Sequence, residues 1–166
     1  MNSQGINHFE VMGIPESPWV DLRALKAALI EKQRQVHPDT GAYSEDSQDV
    51  NASYEALRKP GGSVRCFILL HVAEQELNLN RLPPDFLMEM MEISDAINDF
   101  KHGEIEKEIA DTMLRSFENN LEMERSNYLK INQPILPEQL INLIVWFQKF
   151  QYLKRLRKNL EGIEEL

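Results

Sequence analysis

His37-Pro38-Asp39 sets an imidazole and a carboxylate on either side of one proline. Two chemistries are open to that pairing. One is an acid–base dyad, but neighbours flanking a proline point in different directions, and no nucleophile is placed nearby. The other is recognition. Proline stiffens the turn, so less ordering entropy is lost on docking. The Asp39 carboxylate can accept a bidentate pair from an arginine, and the His37 ring can donate or accept a hydrogen bond. On the tripeptide alone, an ordinary loop containing a proline is the better account of the residues.

Other chemistries find little support. His8, His37, His71 and His102 show no metal-ligand spacing, and Cys66 is the sole thiol, so no metal site, disulfide framework or bound cofactor is expected. No glycine-rich phosphate loop occurs, so the chain is not expected to hydrolyse ATP or to be an enzyme. The 27 acidic residues outnumber the 18 basic ones and give a formal net charge of −9. That balance argues against nucleic acid or an anionic membrane as partner. No apolar run is long enough to span a bilayer, and the start of the chain has no targeting signature. A cytoplasmic setting is the expectation, or the mitochondrial matrix if a presequence has been removed.

The elements that must position these residues are helical almost throughout. Residues 8–14 read as a short helix or turn stopped by Pro15 and Pro18. Asp21 is placed to cap a helix to about Val36, with Leu22, Leu25, Leu29 and Val36 on one face. His37-Pro38 ends that helix, because proline lacks a donor and biases its predecessor away from helix. Residues 40–47 read as a loop. A helix near 48–58 follows, with Val50, Tyr54 and Leu57 inward. Pro60-Gly61-Gly62 then breaks the chain before a single run from Ser63 to about Leu77. In the second half, Pro84 and Asp85 suit a helix start, with that helix ending near Gly103. A long helix is expected from about Glu104 to Ile131, with Ala110, Leu114, Phe117, Leu121 and Tyr128 on one side. The last runs from about Glu138 to Leu160 and carries Leu143, Trp146, Phe147, Phe150 and Leu153. Glu104, Glu106 and Glu108 with Lys107 and Asp111 read as a solvated helix start. Three amphipathic helices with short links favour an antiparallel bundle. The expected fold is all-α, with one unit at 1–77 and a three-helix unit at 82–166.

Two surfaces stand out on these helices. Arg23, Lys26 and Arg34 fall within about 80° of one another by helical projection, away from the leucine face. In an acidic chain such a strip suits an acidic partner surface, although a solvated helix face explains it as readily. On the 85–100 helix, Phe86, Met90, Ile93, Ile97 and Phe100 form the core stripe. Leu87, Met91 and Met88 lie about 100°, 140° and 200° from it. These surplus apolar residues either pack against the first unit or form a binding patch, for which methionine is well suited.

The His-Pro-Asp loop between two amphipathic helices, after Phe9-Glu10-Val11-Met12-Gly13-Ile14 and before Asn51, Tyr54, Leu57 and Pro60, resembles the J-domain. The resemblance covers about the first 75 residues. It departs from the J-domain pattern at Thr40, where lysine is frequent, and at Ser63, where arginine is common. Asp85-Phe86-Leu87-Met88-Glu89-Met90-Met91-Glu92-Ile93 and Phe150-Gln151-Tyr152-Leu153-Lys154-Arg155-Leu156 resemble the C-terminal domain of HscB, a J-domain co-chaperone of iron–sulfur cluster assembly. The J-domain resemblance implies that His37, Pro38 and Asp39 engage an ATP-driven chaperone of the DnaK/HscA class and stimulate its ATP hydrolysis, and the strip of Arg23, Lys26 and Arg34 is read as helping that contact. The resemblance to HscB implies that Leu87, Met88, Met91 and Tyr152 bind an IscU-like iron–sulfur scaffold protein. A J-domain protein serving general folding, its bundle holding clients or dimerising, is the alternative.

Overall fold

Asn7 opens the first helix: its side-chain oxygen accepts from the amides of Phe9 and Glu10 at 3.1 and 3.2 Å. Two otherwise orphaned donors are thereby satisfied. The helix, α1 (His8–Met12), buries Phe9 and Met12 and ends at Gly13, whose φ of 67° lies in the left-handed region that favours glycine. This computed structural model describes residues 5–36, 45–128, 131 and 133–163. All the regular structure among them is helical, and the chain divides into Met1–Asn78 and Leu79–Leu166.

In the first unit, α2 (Leu22–Val36) begins where the Asp21 carboxylate accepts from the Arg23 amide at 2.9 Å. Leu25 is fully buried and Leu29 half-buried, but Leu22 is 59% exposed, contrary to its expected place on the core face. Helical side chains cover the turn N-terminal to their own Cα, and Leu22, first in its helix, has no such turn to cover. The Val36 side chain and residues 37–44 lie outside the described residues. Helix α3 (Glu45–Arg58) begins three residues earlier than expected, with Glu45 and Asp46 in the first turn, where the helix dipole favours acids. It packs on α1 and α2. Its buried residues are Ser47, Val50, Ser53 and Leu57, whereas Tyr54 is only half-buried.

The single run expected over 63–77 is two helices, α4 (Gly62–Leu69) and α5 (Glu74–Asn78). The end of α4 tightens: the amides of Leu70 and His71 bond back three residues, to the carbonyls of Phe67 and Ile68. The His71 ring sits 5.0 Å from that of Phe67, and Arg65 pairs with Glu74 at 2.6 Å across the break. The glycines before α4 are structural. Gly61 has φ 74°, and a Cβ on Gly62 would sit 2.1 Å from the Ala56 carbonyl oxygen. The Ser63 hydroxyl donates to the Pro18 carbonyl at 2.7 Å, tying the start of α4 to the segment before α2.

The second unit holds α6 (Pro84–Lys101), α7 (Lys107–Arg125) and α8 (Pro137–Glu161). Pro84 opens α6, since a first-turn amide would go unpaired there in any case. α7 and α8 pack together along their length, and α6 packs on both. The core is Phe86, Met90, Ile93 and Ile97 from α6, Ala110, Leu114 and Leu121 from α7, and Leu143, Ile144, Trp146, Phe147, Leu153, Leu156 and Leu160 from α8. α7 is shorter than expected at both ends. Residues 126–128 continue only as turns, each amide bonding back three residues, and residues 129, 130 and 132 lie outside the described set. Trp146 donates its indole N–H to the Leu121 carbonyl at 2.9 Å, so the ring crosses the core with its polar atom satisfied. Buried Gln148 holds the entry to the unit, donating to the Leu79 carbonyl at 2.7 Å and accepting from the Arg81 amide at 2.9 Å.

Asp111 and Lys107 are not merely solvated. Arg157 bonds to Asp111 and, at 2.8 and 2.9 Å, to Glu118, while Lys107 meets Glu161 at 2.8 Å. The hydrogen bond from Arg157, ahead of the neighbouring cations, holds the Asp111 carboxyl below the usual carboxylate range. These ties join α7 to α8 through a network, which is worth more than isolated surface pairs.

Candidate partner-binding surfaces

Helix α6 turns one face inward and leaves its other apolar residues outside. Met88 and Met91 are each 64% exposed, and Leu87 is half-buried. The interior of the second unit is already filled by the stripe at spacing four and three, from Phe86 to Ile97, so the two methionines contribute nothing to it. Tyr152 of α8 reaches the same end of α6. Its ring meets Phe86 edge-on, 6.1 Å between centroids at 84°, with the Arg155 guanidinium 5.6 Å from the Tyr152 centroid. Tyr152 is half-buried: one edge packs on Phe86 and part remains accessible. Exposed Glu92 and Asp95, which the sequence did not single out, share the outer arc of α6 with Met88 and Met91. They could have been found by projecting the charges as well as the apolar residues.

In the first unit, Arg23, Lys26 and Arg34 are all exposed. Arg34 approaches Glu31 at 4.0 Å with both side chains largely in solvent, a pair too screened to neutralise the strip. Ile30, four residues from both Lys26 and Arg34, is 46% exposed in the middle of it and was missed by sequence reasoning, which looked there only for charge. His37, Pro38 and Asp39 lie outside the described residues, as does Thr40. The described parts are the helices that lead to and from them, α2 and α3, linked near that end by Gln33 donating to Asn51 at 3.4 Å.

The other reactive groups are accounted for locally. His8 Nδ1 and Ser53 Oγ are 2.8 Å apart, joining α1 to α3, and burial lowers the pKa of the imidazole. Burial likewise pushes the Cys66 thiol up, away from thiolate chemistry. Among the described residues, no three His, Cys, Asp or Glu side chains are grouped to hold a metal, and no helix is long and apolar enough to cross a membrane.

The fold and these surfaces define an all-α chain of two helical units, each presenting an exposed helix face. No family model matches it. Curated relatives do, among them several named Co-chaperone protein HscB homolog. The relative from Ralstonia nicotianae is 35% identical over 113 residues, covering 61% of this chain and 63% of the relative. That from Chromobacterium violaceum is 36% identical over 101 residues, 55% of this chain and 58% of the relative. The chain thus spans about three fifths of the length of these two. A relative from Vibrio vulnificus is 23% identical over 173 residues, 96% of this chain and 98% of the relative. The chain is similar to these HscB homologs, over nearly its whole length in the last case.

Proposed function

We propose that this chain is a non-catalytic J-type co-chaperone that binds an IscU-like iron–sulfur scaffold protein and delivers it to an ATP-driven chaperone of the DnaK/HscA class, stimulating that chaperone's ATP hydrolysis. The observation that carries the cargo half is the outer face of α6. Two methionines 64% exposed, on a helix whose core stripe is complete without them, have no structural task within the unit. A flexible thioether surface adapts to a partner at little cost. Leu87 and the accessible edge of Tyr152 extend the face, and the Phe86–Tyr152 contact steadies it. The chaperone half rests on the His37-Pro38-Asp39 motif and on exposed Arg23, Lys26 and Arg34, which suit an acidic partner surface. The proposed division is of one unit to 1–77 and the other to 82–166.

Calorimetric titration with a purified iron–sulfur scaffold protein tests the cargo assignment. Truncating a central anchor to alanine commonly costs about 1–3 kcal/mol, so the Leu87→Ala, Met88→Ala, Met91→Ala triple variant should bind at least about a hundredfold more weakly. Its melting temperature should fall little, because the methionines are exposed and Leu87 is only half-buried. Wild-type affinity in the triple variant, or collapse of its thermal stability, would remove the assignment.

A further inference from the structure

A groove of about 330 Å³ opens on the other flank of α6, enclosed by α6, α7 and α8. Its floor is apolar, made by Phe86, Phe117, Leu121 and Leu153, and its rim carries Asp85, Glu89 and Glu124. By helical projection, Asp85 and Glu89 lie about 100° and 60° to one side of Phe86 and Leu87 and Met91 about 100° and 140° to the other, with Met88 at the back of the helix about 60° beyond Asp85. The groove therefore adjoins the methionine face at Asp85, but Leu87, Met88 and Met91 do not line it. One cation lines it: Lys149 sits 3.4 Å from Glu124 and 5.6 Å from the centroid of the Phe86 ring. Lys149 is thus already engaged with Glu124, whereas Asp85 and Glu89, both exposed, pair with no cation among the described residues. The floor is held in shape, because Phe86 packs against Tyr152 and Leu153 is in the core.

We propose that this groove is a second docking site, which takes a short extended protein segment carrying an apolar side chain next to arginine or lysine. The volume lies at the small end of the range of ligand pockets, about 300–1,000 Å³, so it suits a short segment with an apolar side chain rather than a folded element. The apolar side chain covers Phe117 and Leu121, and the adjacent cation meets Asp85 and Glu89. Lys149 shows the mode in miniature, a cation held between a carboxylate and the Phe86 ring face. An acidic segment is disfavoured by two unpaired carboxylates at the entrance. The site is distinguishable from the scaffold assignment, because it is lined by Asp85 and Glu89 and not by Leu87, Met88 or Met91.

Isotope-labelled full-length protein titrated with the capped peptide Gly-Ser-Arg-Leu-Arg-Ser-Gly, followed by amide chemical shifts, tests it. Saturable shifts are expected at Phe86, Glu89, Leu121, Glu124 and Lys149. Glu89→Lys should raise the Kd about tenfold, Glu89→Gln by less, and the peptide with glutamates in place of the arginines should not bind. Absence of shifts at these residues up to millimolar peptide would overturn the proposal. So would an equal response to the glutamate peptide, or shifts centred on Leu87, Met88 and Met91 instead.

Discussion

At the scale of single residues, polar atoms placed inside helical packing set the local constraints. His8 is the clearest titrating case, its Nδ1 2.8 Å from Ser53 Oγ and its pKa below the ordinary value of 6.5 because burial disfavours the charged ring. On acidification the unfolded chain takes up that proton first. The neutral imidazole therefore contributes stability in full above 6.5, and the contribution is lost as pH falls from there through the lower folded value. Urea unfolding at about pH 7.5 and about pH 5.5 should give a smaller loss of midpoint for His8→Gln than for wild type. An unchanged difference between the two pH values in the variant would show that His8 does not carry this dependence. Gln148 is the uncharged counterpart: one side chain satisfies a carbonyl and an amide where the chain enters its second unit.

At the scale of elements, the joint between α3 and α4 is set by volume. A methyl group on Gly62 would lie 2.1 Å from the Ala56 carbonyl oxygen, and backbone cannot move aside as a flexible side chain can. Gly62→Ala should cost about 3 kcal/mol, the upper end of ordinary overpacking, whereas Gly5→Ala, with nothing within 4 Å, should be near neutral. Chemical denaturation of the two variants checks this, and equal stability would contradict the close approach. Read as sequence, Gly61-Gly62 suggests a break and a loosened link to α4. That a carbonyl approaches one of them is a tertiary fact, invisible to local pattern. The helices themselves were legible wherever apolar periodicity was long and punctuated, as for α6 between Pro84 and Gly103. Periodicity misled where no glycine or proline marks an end. The 63–77 run continues its apolar spacing through a break made by backbone tightening at Leu70 and His71, and α7 stops at Arg125 although Tyr128 keeps its phase. The methionine face was legible because counting core positions leaves a remainder. The groove beside it was not, since its walls come from three helices and no single periodicity encodes it.

At the scale of the molecule, the chain combines an overall charge of −9 with a basic strip confined to α2 and an adaptable apolar face confined to α6. The proposed function assigns the first to an ATP-driven chaperone and the second to its cargo, so that one chain brings both together. Under that proposal the coupling would depend on His37-Pro38-Asp39, and chaperone stimulation and scaffold binding should be separable by mutation. The most direct measurement is ATP turnover by a DnaK/HscA-class chaperone mixed with wild-type protein or with His37→Gln, both first shown by circular dichroism to be equally helical. Turnover should rise with the wild-type chain and remain at the basal rate with His37→Gln, while the variant still binds the scaffold. Equal stimulation by the two, or none by the wild-type chain, would contradict the account.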